Sequence, residues 1–257
     1  METNTTSGAP TGGTPVSTPP VLTKEMKDTI RARQQQSRKI KETLTWLLPA
    51  VLVIGGIVWL VMSGGKGSID GTVDTSAMPV AEDRLYGKIG AKVALVEYGD
   101  FQCPACAAYW PAVQQLKAKY PNDLVIAYRH FPLVNVHPLA TPAAVAAEAA
   151  HAQGKFWEMH DKLYENQKTW VIAEDVQTEF RTYAEQIGLD MQKYDADFKN
   201  AKAFEPLIIA HMKSGGALKV TGTPSFFLNG KRAAVQSPQQ LLDLVVDAVG
   251  NTPVNTP

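Results

Sequence analysis

Cysteine is nearly absent from this chain: its 257 residues include only two, Cys103 and Cys106, three positions apart. A framework of several structural disulfides is thereby excluded. Histidine is scarce too, and none of His130, His137, His151, His160 and His211 has the paired spacing of a metal-binding motif. A zinc site begun by the two cysteines would need two further ligands, so no metal ligand is assigned. Net charge is zero. Residues 67–257 have 17 Lys and Arg against 21 Asp and Glu, a mildly acidic balance that argues against nucleic acid as a partner. There is no internal repeat.

The longest absence is of charge. No charged residue lies between Glu42 and Lys66, and the apolar run Leu44 to Met62 is long enough, at ~1.5 Å per residue, to cross a ~30 Å hydrocarbon layer. Trp46 and Trp59 stand near its ends as interfacial aromatics do, and Pro49 is close enough to the start to be tolerated. A cleavable signal is disfavoured because the preceding region is too long for a signal n-region and Ser63-Gly64-Gly65-Lys66 has no Ala-x-Ala site. The expectation is a single transmembrane helix, an uncleaved signal anchor at 43–65. Lys24, Lys27, Arg31, Arg33, Arg38, Lys39 and Lys41 make 24–42 a basic juxtamembrane segment, which puts the N-terminus in the cytoplasm and everything after Lys66 outside the cell membrane. Residues 1–23, rich in Thr, Gly and Pro, read as a disordered tail, 66–82 as a flexible linker and 251–257 as a frayed C-terminus.

The folded domain is expected over 83–250. VALVEY at 93–98 is apolar on both parities, as a central strand covered on both faces would be, with Glu97 its one anomaly. A helix carrying Trp110, Val113, Leu116 and Tyr120 follows, with Pro111 inside it, and then a second strand, LVIAY at 124–128. Strand, helix and strand make a parallel right-handed crossover. The next stretch, about 138–205, is helical in character, with aromatic stripes that face a core and Asp190 as a cap. SFFL, Asn229-Gly230 and Lys231 to Val235 then form a hairpin with a type I′ turn, and Ser237-Pro238 opens a last helix.

Placed between strand and helix, Cys103-Pro104-Ala105-Cys106 puts the first sulfur at a helix N-terminus, where unpaired N–H groups and the helix dipole favour the thiolate. Such positions bring a thiol pKa from about 8.5 to roughly 3.5–7.5. Cys103 is the candidate attacking sulfur and Cys106 the resolving one, joined when oxidised as a redox-active disulfide that needs no other cofactor.

The run KVALVEYGDFQCPACAAYW from Lys92 to Trp110, YRHFPL from Tyr128, and Gly222-Thr223-Pro224 before SFFLNG together resemble the thioredoxin superfamily, and within it the bacterial DsbA-like thiol:disulfide oxidoreductases. The resemblance covers about Asp83 to Val249 and implies an α/β thioredoxin fold with a helical insertion. It also implies a cis Thr223-Pro224 bond lying against the cysteines and offering backbone groups to a substrate chain, with Glu97 a buried acid that exchanges protons with the pair. Its implied partners are cysteine-containing secreted or membrane polypeptides and a membrane oxidase of the DsbB or VKOR type. There are two departures. Ala105 stands where strongly oxidising members have histidine, and no basic partner to the acid is evident, since the second strand offers Ala127 and then Arg129. Disulfide donation and the reverse work of a reductase or isomerase both remain open.

Overall fold

The computed structural model describes residues 67–251. The expected anchor at 43–65, the basic segment, and nearly all of both tails lie outside the described residues; among those described, no helix is long and apolar enough to cross a membrane.

Six strands form one mixed sheet: β1 (Ser68–Asp70), β2 (Arg84–Tyr86), β3 (Val93–Gly99), β4 (Leu124–His130), β5 (Ser225–Leu228) and β6 (Lys231–Ala234). Their order is β1-β6-β5-β3-β4-β2, with β3 and β4 parallel and every other neighbouring pair antiparallel. All residues of β3 and β4 are buried because helices cover both faces. On one face α1 (Pro104–Lys119) and α8 (Pro238–Asn251) set Tyr109, Val113, Leu116, Leu241 and Val245 against Leu95, Ile126 and Phe226. On the other, α7 (Glu205–Ala217) packs on β4, and its Ser214 Oγ lies 2.8 Å from the Tyr98 hydroxyl. Strand alternation therefore sends Leu95 and Glu97 toward α1, and Val96 and Tyr98 toward α7.

Between β4 and α7 lies the helical insertion: α2 (Ala140–His151), α3 (Phe156–Glu165), the single-turn α4 (Gln167–Trp170), α5 (Val176–Gln186) and α6 (Met191–Lys199). The small side chains of α2 permit close approach, and five of its alanines, Ala143, Ala146, Ala147, Ala149 and Ala150, pack in one core with Phe156, Met159, Leu163, Trp170, Phe180 and Tyr183. Asp175 and Asp190 cap α5 and α6, accepting from the amides of Gln177 and Thr178 and of Lys193. The hairpin turns at Asn229 and Gly230, whose φ values of 50° and 75° are the left-handed pair a type I′ turn needs.

Residues 66–82, expected as a flexible linker, are built into the domain over their described part. β1 pairs with β6, Ala77 is fully buried, and the Arg129 guanidinium donates to the carbonyls of Ser76 and Met78 at 2.8 Å. The sequence gives no apolar signal for this because all three side chains of β1 are exposed and the strand is held by backbone pairing alone. Likewise α7 has no clear amphipathic pattern and contains Gly215 and Gly216, residues of poor helix propensity. Gly215 is needed there because a Cβ would meet the Phe131 ring at 2.8 Å.

Candidate active site

Cys103 is the N-cap of α1, with extended backbone at φ −70° and ψ 120°, and Pro104 occupies the first helical turn, where a missing N–H costs nothing. Both cysteines are free, buried thiols; Cys103 is 6% exposed and Cys106 fully enclosed. The Thr223-Pro224 peptide is cis, and the Cys103 thiol donates to the Thr223 carbonyl at 3.3 Å. The two most separated parts of the expected site, at 103–106 and 223–224, are thus brought together.

The two sulfurs are electrostatically unlike. The Cys106 thiol, hydrogen-bonded to its partner, is the largest cause that brings the Cys103 pKa down to about 5; Thr223 and the amides of Cys106 and Ala105 add to it against the cost of burial. The Thr223 hydroxyl has no other partner among the described residues and is free to turn toward a thiolate. Cys106 is pushed well above the usual thiol range, first by burial and then by the Cys103 sulfur and Glu97. Glu97 is 2% exposed rather than an edge residue facing water. Burial, with the negative charge of Cys103 second, raises its pKa to about 8, so it holds a proton at pH 7.

No basic residue answers Glu97 from β4. Tyr128 is its register partner, whereas Arg129 pairs with Tyr98 and points to the opposite face. There its guanidinium is bidentate to Asp83 at 2.8 and 2.9 Å and donates to the Tyr98 hydroxyl. Tyr128 instead stacks on Phe101 with ring centres 5.1 Å apart, and its hydroxyl lies 2.9 Å from that of Tyr164.

Three positioning groups have no signal in a local motif. Gln167 of α4 donates to the carbonyls of Phe101 at 2.7 Å and Cys103 at 2.9 Å, tying the insertion to the catalytic turn. The buried Asp100 carboxylate accepts from the amides of Gln102 and Leu133 and lies 2.7 Å from His137 Nδ1, while its carbonyl accepts from the Cys103 amide. Asp161 of α3 gathers Trp110 Nε1, Gln114 Nε2 and Lys117 Nζ from α1. Only the Asp100–Gln102 contact is local enough to suggest itself from the sequence.

Gly99 lets β3 run into this turn under the Tyr128 ring. A Cβ there would stand 2.6 Å from the Tyr128 hydroxyl oxygen, and Tyr128 is locked by Phe101 and Tyr164. Gly99→Ala is expected to destabilise the domain by about 1–3 kcal/mol, read as a lower urea midpoint with an unchanged slope.

Fold and site define a thioredoxin-fold domain with a Cys-x-x-Cys dithiol facing a cis-proline loop. The family model described as Thioredoxin matches residues 80–247, and the chain belongs to that family. Among solved structures, alpha-DsbA1 of Wolbachia pipientis is similar with a TM-score of 0.59 at 18% identity, covering 70% of this chain and 98% of that one. BdbD of Bacillus subtilis in its oxidised form gives a TM-score of 0.56 at 15% identity, over 70% of this chain and 100% of that one. A thioredoxin-like oxidoreductase from Silicibacter pomeroyi is 26% identical, with a TM-score of 0.53, over 69% and 98%. Curated relatives include proteins named Na(+)/H(+) antiporter NhaA 1. That of Salinispora arenicola is 40% identical over 65% of this chain and 24% of its own length, and that of Mycolicibacterium vanbaalenii 36% identical over 60% and 25%. The chain thus spans about a quarter of the length of these relatives.

Proposed function

We propose that this protein is a DsbA-like thiol:disulfide oxidoreductase, held by 43–65 to the outer face of the cell membrane, that donates its Cys103–Cys106 disulfide to secreted or membrane polypeptides. The observation that carries this is the asymmetry of the sulfurs: Cys103 is stabilised as thiolate with a pKa of about 5, while Cys106 is held as thiol. Stabilising the reduced form makes the oxidised form the stronger oxidant. With Ala105 in place of a histidine, the Cys106 thiol, Thr223 and the helix-start amides are the groups that hold the thiolate.

A client thiolate attacks Cys103 Sγ in the oxidised protein, forming a mixed disulfide, and Cys106 leaves as thiolate. Glu97, protonated at neutral pH, is the group placed to hand it a proton. A second client thiolate then attacks the client sulfur of the mixed disulfide, and Cys103 leaves as thiolate. The client has lost two electrons and the site has become a dithiol. The Thr223 carbonyl offers an acceptor to an extended client chain alongside Cys103. A membrane oxidase of the DsbB or VKOR type would take the two electrons on. Cation antiport stays with the relatives that carry the name, of which this chain matches a quarter.

Ala105 favours a second direction, reduction or isomerisation at the same site. Equilibration of the dithiol with glutathione separates them. Donation predicts a potential above about −200 mV, and a value near the roughly −270 mV of thioredoxin would assign the protein to reduction.

A further inference from the structure

The loop that leaves β4 is laid along the residues leading into the dithiol. The Phe131 amide donates to the Gly99 carbonyl at 2.8 Å, the Leu133 amide to the Asp100 carboxylate at 2.9 Å and the Leu139 amide to the Gln102 side-chain oxygen at 2.6 Å. Within this loop His137 Nδ1 lies 2.7 Å from the same carboxylate oxygen that Leu133 reaches. We propose that His137 is a positioning residue for thiol–disulfide exchange: through the Asp100 carboxylate it keeps the Asp100 amide on the Cys106 sulfur, and so eases the departure of Cys106 when the disulfide is attacked. This rests on the exchange chemistry of the preceding section and adds to it a residue outside the cysteine turn.

The Asp100 side chain is fully buried and that of His137 is 18% exposed. A carboxylate only accepts, so Nδ1 carries the proton of the bond between them. The backbone of Asp100 meets both cysteines. Its carbonyl accepts from the Cys103 amide at 3.1 Å, and its own amide donates toward Cys106, favouring the thiolate there against burial, the Cys103 sulfur and Glu97. The loop itself has three amide anchors besides His137. The carboxylate has fewer: one oxygen is held by the Gln102 amide at 2.8 Å and the other by Leu133 and His137. A side chain fixed at both oxygens fixes the backbone that bears it, which is how a supporting residue sets the aim of a reacting group.

When a thiolate attacks the oxidised protein, a bond forms to Cys103 Sγ, the Cys103–Cys106 bond breaks and its electron pair stays on Cys106. Exchange is faster the lower the pKa of the leaving thiol. The Asp100 amide therefore acts on this step and, in reverse, on the attack of Cys106 on a mixed disulfide. The Cys103 thiolate is held by other groups, namely the Cys106 thiol, Thr223 and the amides of Cys106 and Ala105. Cys106 is uncharged in the disulfide and held as thiol in the dithiol, so His137 sets the rate of exchange and leaves its equilibrium alone.

Acid-quenched reaction of the oxidised full-length protein with reduced glutathione, and of the reduced protein with oxidised glutathione, tests this. His137→Leu should slow both directions by about tenfold, the order expected for losing a hydrogen bond to a charged group. The equilibrium constant with glutathione and the pH midpoint of Cys103 alkylation should stay at their wild-type values. His137→Asn, which sets an amide N–H where Nδ1–H stands, should recover most of the rate. Distortion of the turn would instead move the equilibrium and the midpoint together with the rate, and that result would overturn the proposal. So would wild-type rates in His137→Leu, or an asparagine variant as slow as the leucine one. Failure of the wild-type protein to exchange with glutathione at all would remove the exchange reading itself, and this inference with it.

Discussion

Alkylation of the reduced protein by iodoacetamide should follow a titration with its midpoint near pH 5, the value to which the Cys106 thiol, Thr223 and the helix-start amides bring Cys103. At pH 6 the ionised fraction exceeds that of an ordinary thiol by roughly 300-fold. A more stable thiolate is a poorer nucleophile, and with a Brønsted slope of 0.4–0.5 that takes back roughly 25- to 55-fold. A net advantage of about 5- to 12-fold at pH 6 is therefore expected, and it should disappear in Cys103→Ser. The assignment of roles adds a qualitative contrast. Cys103→Ser should abolish exchange, whereas Cys106→Ser, which retains the attacking sulfur without the resolving one, should accumulate mixed disulfides with client proteins on denaturing gels. A midpoint near 8.5, or equal trapping by the two variants, would contradict the electrostatic picture.

Glu97→Gln should stabilise the reduced protein at pH 7 and impair its chemistry. The folded pKa of Glu97, about 8, lies above its ordinary value of 4.5. Its contribution to stability is therefore fully present below pH 4.5 and is lost as pH rises through about 8, because the unfolded chain ionises the carboxyl freely and the folded one does not. At pH 7 this cost is roughly 3 kcal/mol, and at pH 5 under about 1. Urea unfolding of wild type and Glu97→Gln at the two pH values should show a gap that widens at pH 7; a variant less stable at pH 7 would refute the buried, protonated acid. Glutamine cannot exchange a proton with Cys106, so attack of Cys106 on a mixed disulfide should slow by about a hundredfold, within the range of general acid–base catalysis.

Cys103 and Glu97 have a joint consequence. In an unfolded reduced chain between about pH 5 and pH 8, the carboxyl would carry the charge and the thiol the proton. Folding reverses this, placing the charge on the Cys103 sulfur and the proton on the Glu97 carboxyl. The number of bound protons hardly changes, so the two opposite linkages largely cancel across that window.

The catalytic turn was legible because its chemistry is local. A strand, two cysteines and a proline-led helix occur in one run, and Asn229-Gly230 and Asp190 announce their turn and cap by residue type. The pairing of Thr223-Pro224 with Cys103 spans 120 positions and was available only through resemblance to other proteins. The absence of a basic partner for Glu97 was legible in the second strand, and the register gives its reason: Arg129 is adjacent in sequence to the residue opposite Glu97, and one step along a strand reverses the face. Gln167, Asp161 and Lys117 were silent because their partners lie 44 to 66 positions away in sequence and the side chains are of types common on any surface. β1 was silent because it buries no side chain.

The hydrogen bonds from Gln167 and to Asp161 bear on how far this protein could be pared down. The insertion looks like an ornament on a thioredoxin scaffold, to be removed for a minimal catalyst. Excising it would take the Gln167 amide from the Phe101 and Cys103 carbonyls, leaving the latter only the Ala107 N–H, and leave the Lys117 ammonium, 9% exposed, without its carboxylate. The scaffold and its insertion are a single machine part with respect to the reactive sulfur, and any miniature would first have to supply substitutes for one amide and one acid.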